Sequence, residues 1–191
     1  MCQKEKSLKM ITSNHHKFNE AKHILSEFGI QLVRVDVRRV EIQAENVEEI
    51  ARYSIETAAA SIGGPAITED AGLSIRHLNG FPGPYSSYVL SKIGLQGILR
   101  LMEGISDREA HFMSAIAFCE STSKPVRVFN AIAEGTISRE TRGTHGFGYD
   151  PIFIPSEGDG RTFAEMKLEE KNQLSHRAKA LKEFGRWFMG E

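Results

Sequence analysis

Residues 8–35 read LKMITSNHHKFNEAKHILSEFGIQLVRV, and this stretch decides the fold. Leu8 to Thr12 is a short, mostly apolar run of the buried-strand type. Phe18, Ala21, Leu25 and Phe28 then recur at spacings of three and four, which is one face of a helix. Gly29 stands where a helix-closing glycine belongs. Ile30 to Val35 returns to a strand pattern. Strand, helix and strand in such quick succession open an α/β chain.

The pattern continues outward from there. Val47, Ile50, Ala51, Ile55, Ala58, Ala59 and Ile62 form the apolar stripe of a second helix over about Val47 to Ile62, ended by Gly63-Gly64-Pro65. Ala66 to Thr68 reads as a short strand, and Leu73 to Leu78 alternates as another. Pro82-Gly83-Pro84 is a turn, with helical segments expected to about Lys92 and from Leu95 to Met102. Ala110 to Cys119 and Val126 to Ala133 flank the polar stretch Glu120 to Pro125 as an antiparallel hairpin. A last helix is expected from about Ser175 to Met189, with Ala178, Leu181, Phe184 and Phe188 inward. The fold class is therefore α/β (mixed α+β) with a mixed sheet. Residues 1–7 read as a polar tail, and no linker or repeat divides the rest of the 191 residues, so one domain is expected.

Composition sets the outer limits. Lys+Arg 24 against Asp+Glu 25 gives a net charge of −1, which disfavours a general nucleic-acid binder. No run approaches a membrane span, and the first residues do not read as a signal peptide. Cys2 and Cys119 cannot make a disulfide framework or a cysteine metal site. The expectation is a cytoplasmic protein that binds neither nucleic acid nor membrane.

Five segments could carry chemistry, and each has a plainer structural reading. Thr12-Ser13-Asn14-His15-His16-Lys17 lies at a strand-to-helix junction. Unpaired N–H groups and the helix dipole there suit an anion, with Asn14 as the cap and Lys17 one turn in; the plain reading is a capped helix. The glycine-rich P-loop pattern is absent. Glu69 and Asp70 follow a strand, and alternation turns their side chains to opposite faces, so one of them faces a given cleft. A carboxylate there can hold Mg²⁺ and orient a water, or sit in a solvated turn. Glu41, in Glu41-Ile42-Gln43-Ala44-Glu45, is a second candidate metal carboxylate with Glu45 as the alternative. Glu48 and Glu49 are explained by the first turn of the helix that follows. In Gly146-Phe147-Gly148-Tyr149-Asp150-Pro151 two glycines allow close backbone approach, and Phe147 could offer its face to a base. Finally, Thr162 and Glu165 have capping-box spacing, Ser175 is a natural cap, and Lys171, His176 and Arg177 gather near two helix ends. The histidines show no metal spacing, and adjacent His15 and His16 diverge on a helix.

Taken together and in order, these motifs resemble the inosine triphosphate pyrophosphatase, or Ham1-like, family. The carriers are Thr12-Ser13-Asn14-x-x-Lys17, Glu69-Asp70-Ala71-Gly72-Leu73, Gly80-Phe81-Pro82-Gly83-Pro84-Tyr85-Ser86, Gly146-Phe147-Gly148-Tyr149-Asp150-Pro151-Ile152-Phe153, Thr162-Phe163-Ala164-Glu165-Met166 and Glu170-Lys171-Asn172-x-x-Ser175-His176-Arg177. The resemblance implies an elongated mixed sheet with two α/β lobes flanking a central cleft, in a homodimer. It implies Mg²⁺-dependent hydrolysis of ITP, dITP and XTP to the monophosphate and pyrophosphate.

By the same resemblance, Thr12, Ser13, Asn14 and Lys17 cradle the triphosphate. Asp70 is the catalytic carboxylate and binds Mg²⁺ with Glu41, and Ala71 contributes its backbone N–H. Phe147 stacks on the base, with Gly148 and Tyr149 beside it, while Asp150, Lys171, His176 and Arg177 shape the pocket for its edge. Two departures stand out. The family's usual Asp-Ser-Gly-Leu is Asp70-Ala71-Gly72-Leu73 here, so a hydroxyl is missing. A second-helix lysine found in many members is absent as well, and Arg52 is the candidate to replace it.

Overall fold

A computed structural model describes residues 6–37, 40 and 42–191. Strands are β1 (Lys6–Ile11), β2 (Ile30–Val35), β3 (Ala66–Ile75), β4 (Pro82–Gly83), β5 (Glu109–Cys119), β6 (Arg127–Ile137) and β7 (Phe153–Pro155). Helices are α1 (His15–Ser26), α2 (Val47–Ile62), α3 (Ser86–Leu101), α4 (Leu168–Leu174) and α5 (His176–Met189). The strands form one mixed sheet in the order β2-β1-β3-β5-β6-β7, with β4 added to β3. β1 runs parallel to β2 and β3, and the remaining pairs are antiparallel.

The expected α/β opening is present, and β1 takes in Lys6 and Ser7 from the stretch read as a tail; residues 1–5 lie outside the described residues. The chain turns through Gly29 at φ 69°, a conformation glycine adopts without strain. Helix α3 is interrupted at Gly94, with φ 64° and ψ −174°, at the expected break between two helical segments. One expectation is corrected. Residues 66–68 and 73–78 are not separate strands about a carboxylate turn. β3 is continuous through Glu69 and Asp70, paired with β5 from Ala66↔Cys119 to Ile75↔Ala110, and residues 76–78 form a 3₁₀ turn.

Alternation sorts the core. On one face Leu8, Met10, Ile67, Ile116 and Phe118 pack against α1 and α5 through Ile24, Leu25, Leu181 and Phe184. On the other, Ile11, Ala66, Ala115 and Ala117 meet Val47, Ala51 and Ile55 of α2. A third cluster joins Leu73, Ile75, Ala110 and Phe112 to Val89, Ile98, Phe153 and Phe163. Stepping by two along β3 from Ile67 to Leu73, and along β5 from Ile116 to Phe112, the first and third clusters share a face. Glu69, Ala71 and Ser114 lie between them. A polar seam thus divides two apolar cores, and buried polar groups in it must find partners.

Candidate active site

The edge of β3 carries a gap. β1 pairs with it as far as Ile11↔Thr68, and β4 takes over at Leu73↔Gly83 and Ser74↔Pro82. Among the described residues no strand pairs with that edge between Thr68 and Leu73. The cleft opens there, with a volume of about 930 Å³. Gly72 lets β4 close one end of the gap, because a Cβ on it would collide with the Gly83 carbonyl. Ser86 ties the start of α3 to the same edge: its Oγ accepts from Leu73 N at 2.8 Å and donates to the Gly83 carbonyl at 2.7 Å.

At the other end stands the N-terminus of α1. Asn14 Oδ1 accepts from His16 N at 2.9 Å and Lys17 N at 3.1 Å. Thr12 is buried, and its Oγ1 accepts from Asn14 N at 3.1 Å. Lys17 reaches over to β3. Its Nζ lies 2.9 Å from Glu69 Oε2 and 3.9 Å from Asp70 Oδ1. Glu69 and Asp70 do part to opposite faces: the Glu69 side chain is fully buried, and that of Asp70 is a quarter exposed and lines the cleft.

Behind the cleft the polar seam is filled by a linear chain of alternating charge. Asp150 Oδ2 accepts from Lys171 Nζ at 2.6 Å, and Lys171 also donates to Glu20 Oε1 at 2.8 Å. Glu20 Oε2 accepts from Arg177 Nη1 at 2.6 Å. Arg177 Nη2 lies 3.2 Å from Glu69 Oε1, which also accepts from Ser114 Oγ at 2.8 Å. Lys17 then closes the chain on Glu69. Burial pushes Glu69 up, but Arg177 and Lys17 outweigh it and hold the carboxyl well below the usual carboxylate range. Burial likewise opposes ionisation of Glu20, and Arg177 and Lys171 overcome it. At Asp150 burial wins, and the carboxyl is raised despite Lys171. His176 is driven well below its ordinary value, first by burial and then by Arg177, so its imidazole is neutral. It stacks on Phe112 at 4.5 Å, and its buried Nδ1 has no partner among the described residues.

Phe147 sits on this network. Its N–H donates to Asp150 Oδ2 at 2.8 Å. Lys171 Nζ and Arg177 Cζ lie 5.1 and 5.2 Å from its ring centroid. Gly146, at φ 70°, lies so close to the Asp150 carboxylate that a Cβ would collide with it. Tyr149 is buried and donates its hydroxyl to the Ser86 carbonyl at 2.8 Å, while burial raises its pKa to about 12.

Of the residues singled out in the sequence, Ser13, Asn14, Lys17, Asp70, Ala71, Phe147, Gly148, Tyr149, Asp150, His176 and Arg177 line the one cleft. Thr12 and Lys171 are buried and are not among the residues that line it. Tyr149 serves as a tether between loop and helix as well as a wall. Glu41 lies outside the described residues. Glu45 is exposed and does not line the cleft, although Ile42, Gln43 and Ala44 do. Arg52 is also elsewhere: its guanidinium donates to the Val126 carbonyl at 3.2 Å, so it does not stand in for the absent lysine. Lys171, His176 and Arg177 are not solvated helix-end charges, since all three are buried. Glu20 and Ser114 are the partners that sequence reading missed.

A profile of the Ham1 family matches residues 8–187. This chain belongs to the Ham1 family. The dITP/XTP pyrophosphatase of Methanopyrus kandleri is 51% identical over 177 residues, covering 93% of each chain. That of Pyrococcus horikoshii is 51% identical over 93% of this chain and 94% of its own. Among solved structures, a HAM1 protein from Coxiella burnetii superposes with a TM-score of 0.84 at 32% identity, covering 97% of this chain and 100% of that one. The Staphylococcus aureus Ham1 protein gives 0.82 at 28% identity, covering 97% and 99%. The motifs that carried the resemblance to this Ham1-like family fall within the matched residues.

Proposed function

We propose that this chain hydrolyses non-standard purine nucleoside triphosphates (ITP, dITP and XTP) to the monophosphate and pyrophosphate. One observation carries the reading. Within a single cleft, the α1 N-terminus and Lys17 face Asp70 at the unpaired edge of β3, and Phe147 lines the same cleft on its buried charged network. Those are the parts a nucleoside triphosphate calls for: donors for its phosphates, a carboxylate for the reacting phosphorus and an aromatic face for its base.

In this reading Ser13, Asn14 and Lys17 hold the phosphates, the backbone N–H groups of the first α1 turn adding their partial positive charge. Asp70 orients the water that attacks the α-phosphorus and takes its proton, and pyrophosphate leaves. A single carboxylate facing phosphate oxygens suits Mg²⁺, which is bound by one or two carboxylates plus substrate oxygens. Asp70 would hold it, with Glu41 as the second carboxylate. When bound, Mg²⁺ supplies neutralisation of phosphate charge.

The base is read by donors. Lys171 spends two of its three protons on Glu20 and Asp150, leaving one. Arg177 is likewise held by Glu20 and Glu69 with donors to spare. A 6-oxygen accepts from such groups, whereas the amino group of adenine opposes them. A site built for such a hydrogen bond rejects the mismatch by about 10⁴–10⁵. The carboxylates keep both cations in place before substrate arrives. The same reading takes the chain as one domain whose two lobes share the sheet, acting as a cytoplasmic homodimer. The exposed side chains of Phe81, Tyr85 and Tyr88 near the start of α3 offer apolar surface for a second copy.

The test is pyrophosphate release from ITP, XTP, dITP, GTP, ATP and CTP, with Mg²⁺ and with EDTA. Release from ITP, dITP and XTP that EDTA abolishes, with little from ATP or CTP, is expected. Equal release from ATP and ITP would overturn the account of selectivity, and no release from any would overturn the reaction.

A further inference from the structure

Lys17 and Asp70 belong to opposite faces of the sheet. Lys17 comes from α1, which packs on the face that holds Glu69, while alternation turns Asp70 to the other. The Lys17 ammonium reaches the cleft around the edge of β3, along the stretch between Thr68 and Leu73 where no described strand pairs. Glu69 meets it there twice. Glu69 Oε2 lies 2.9 Å from Lys17 Nζ, and the Glu69 backbone carbonyl accepts from the same nitrogen at 3.4 Å. Asp70 Oδ1 is farther, at 3.9 Å. Lys17 still lines the cleft, and an ammonium with three protons can be held on one side and donate on the other. The Glu69 carboxylate is itself set in place. Its Oε1 accepts from Ser114 Oγ at 2.8 Å and lies 3.2 Å from Arg177 Nη2, which leaves Oε2 to Lys17. Ser114 is fully buried and stands opposite Ala71 across the β3–β5 ladder. The Glu69 side chain is fully buried too and does not line the cleft, so it acts on a bound molecule through the cations it holds.

We propose that Glu69, oriented by Ser114, is a positioning residue that fixes the Lys17 ammonium at the open edge of β3 beside Asp70, where charge develops on the phosphates. The proposal rests on the reading of the cleft as a nucleoside triphosphate site. A lysine ammonium rides on a flexible four-carbon stem, and a cation serves a transition state best when it is already in place. Removing the Glu69 charge therefore acts differently on two quantities. Anions bind no worse, because Lys17 remains and a negative charge beside their site is gone. Turnover falls, because the ammonium is no longer held to one position, and a misplacement of about 1 Å can cost about 10²-fold.

The experiment measures kcat and KM for ITP and, without Mg²⁺, pyrophosphate affinity by calorimetry. It compares wild type, Glu69→Gln, Ser114→Ala and Lys17→Ala, with each of the first two changes also placed in the Lys17→Ala background. Glu69→Gln keeps the shape of the side chain and an oxygen for Ser114. It is expected to lose about 10²-fold in kcat, with the pyrophosphate Kd within a few-fold of wild type or tighter. In the Lys17→Ala background the same change is expected to add nothing, because residues that act as a unit are not additive. Ser114→Ala keeps every charge, and it carries the test where Glu69→Gln does not fold. Its expected fall in kcat is roughly 2- to 12-fold, the worth of one hydrogen bond, and is also absent once Lys17 is gone. A loss that persists undiminished without Lys17 would overturn the proposal and place the effect on Arg177. So would an unchanged kcat in both variants, or a pyrophosphate affinity that falls as far as kcat. A wild type that hydrolyses no ITP would instead overturn the triphosphate reading beneath it.

Discussion

Replacing Arg177 with methionine tests the buried charge chain at its middle link. The chain Asp150–Lys171–Glu20–Arg177–Glu69–Lys17 sets three carboxylates against three cations. Methionine keeps much of the side-chain bulk but leaves those three carboxylates facing two ammonium groups. Removing one partner of a buried pair costs about 3–5 kcal/mol, because the remaining charge stays desolvated. That is a large part of the about 5–15 kcal/mol that holds an ordinary domain together.

The pH dependence has a definite sign. In the wild type Glu69 and Glu20 are held below their ordinary value of 4.5, so their stabilisation is present above that value and is lost progressively as pH falls from it through their lower folded values. In the variant Glu69 and Glu20 lose a depressing charge, and burial pushes both upward. Protonation then relieves the variant while it still costs the wild type. Urea unfolding at pH 7 and at pH 5 is expected to give a deficit of about 3–5 kcal/mol at pH 7 that narrows at pH 5. A deficit below about 1 kcal/mol at pH 7, the size of an exposed pair, would refute the reasoning. So would a gap that widens toward acid.

Other expectations follow from single groups. Asp70→Asn is expected to keep ITP binding within a few-fold and lose about 10²–10⁴ in kcat, checked by equilibrium binding beside steady-state kinetics. His176 is neutral and buried, with its folded pKa below the unfolded value of about 6.5, so unfolding takes up a proton as pH drops. Its share is a loss of stability as pH falls through about 6.5, a slope that should be missing in His176→Asn when the two are unfolded in urea. Gly146→Ala drives a Cβ into the Asp150 carboxylate at a positive φ, and displacing Phe147 by about 1 Å is expected to cost as much as 10²-fold in kcat/KM for ITP.

Much of this was legible in the sequence wherever period and punctuation agree. Residues 47–62 carry a complete apolar stripe between Asn46 and Gly63, and α2 has those bounds. Residues 8–35 likewise gave β1, α1 and β2. Legibility failed where a charge found a distant partner. Glu69-Asp70 looked like a turn between strands because two carboxylates seldom stay in a buried strand. Arg177, more than 100 residues away, and Lys17 make that possible. Glu20 falls between Lys17 and Ile24 on the inward side of α1, in line with Ala21 and Leu25. An acid in line with the apolar residues of α1 was the available signal. β4 and β7, with two and three residues, are too short for any period to register.

The central claim is attack of water on the α-phosphorus within this cleft. Turnover of ITP in oxygen-18 water, with both products examined by mass spectrometry, tests it most directly. The account predicts IMP carrying one labelled oxygen and unlabelled pyrophosphate. Label in the pyrophosphate, or IDP and inorganic phosphate as products, would contradict it.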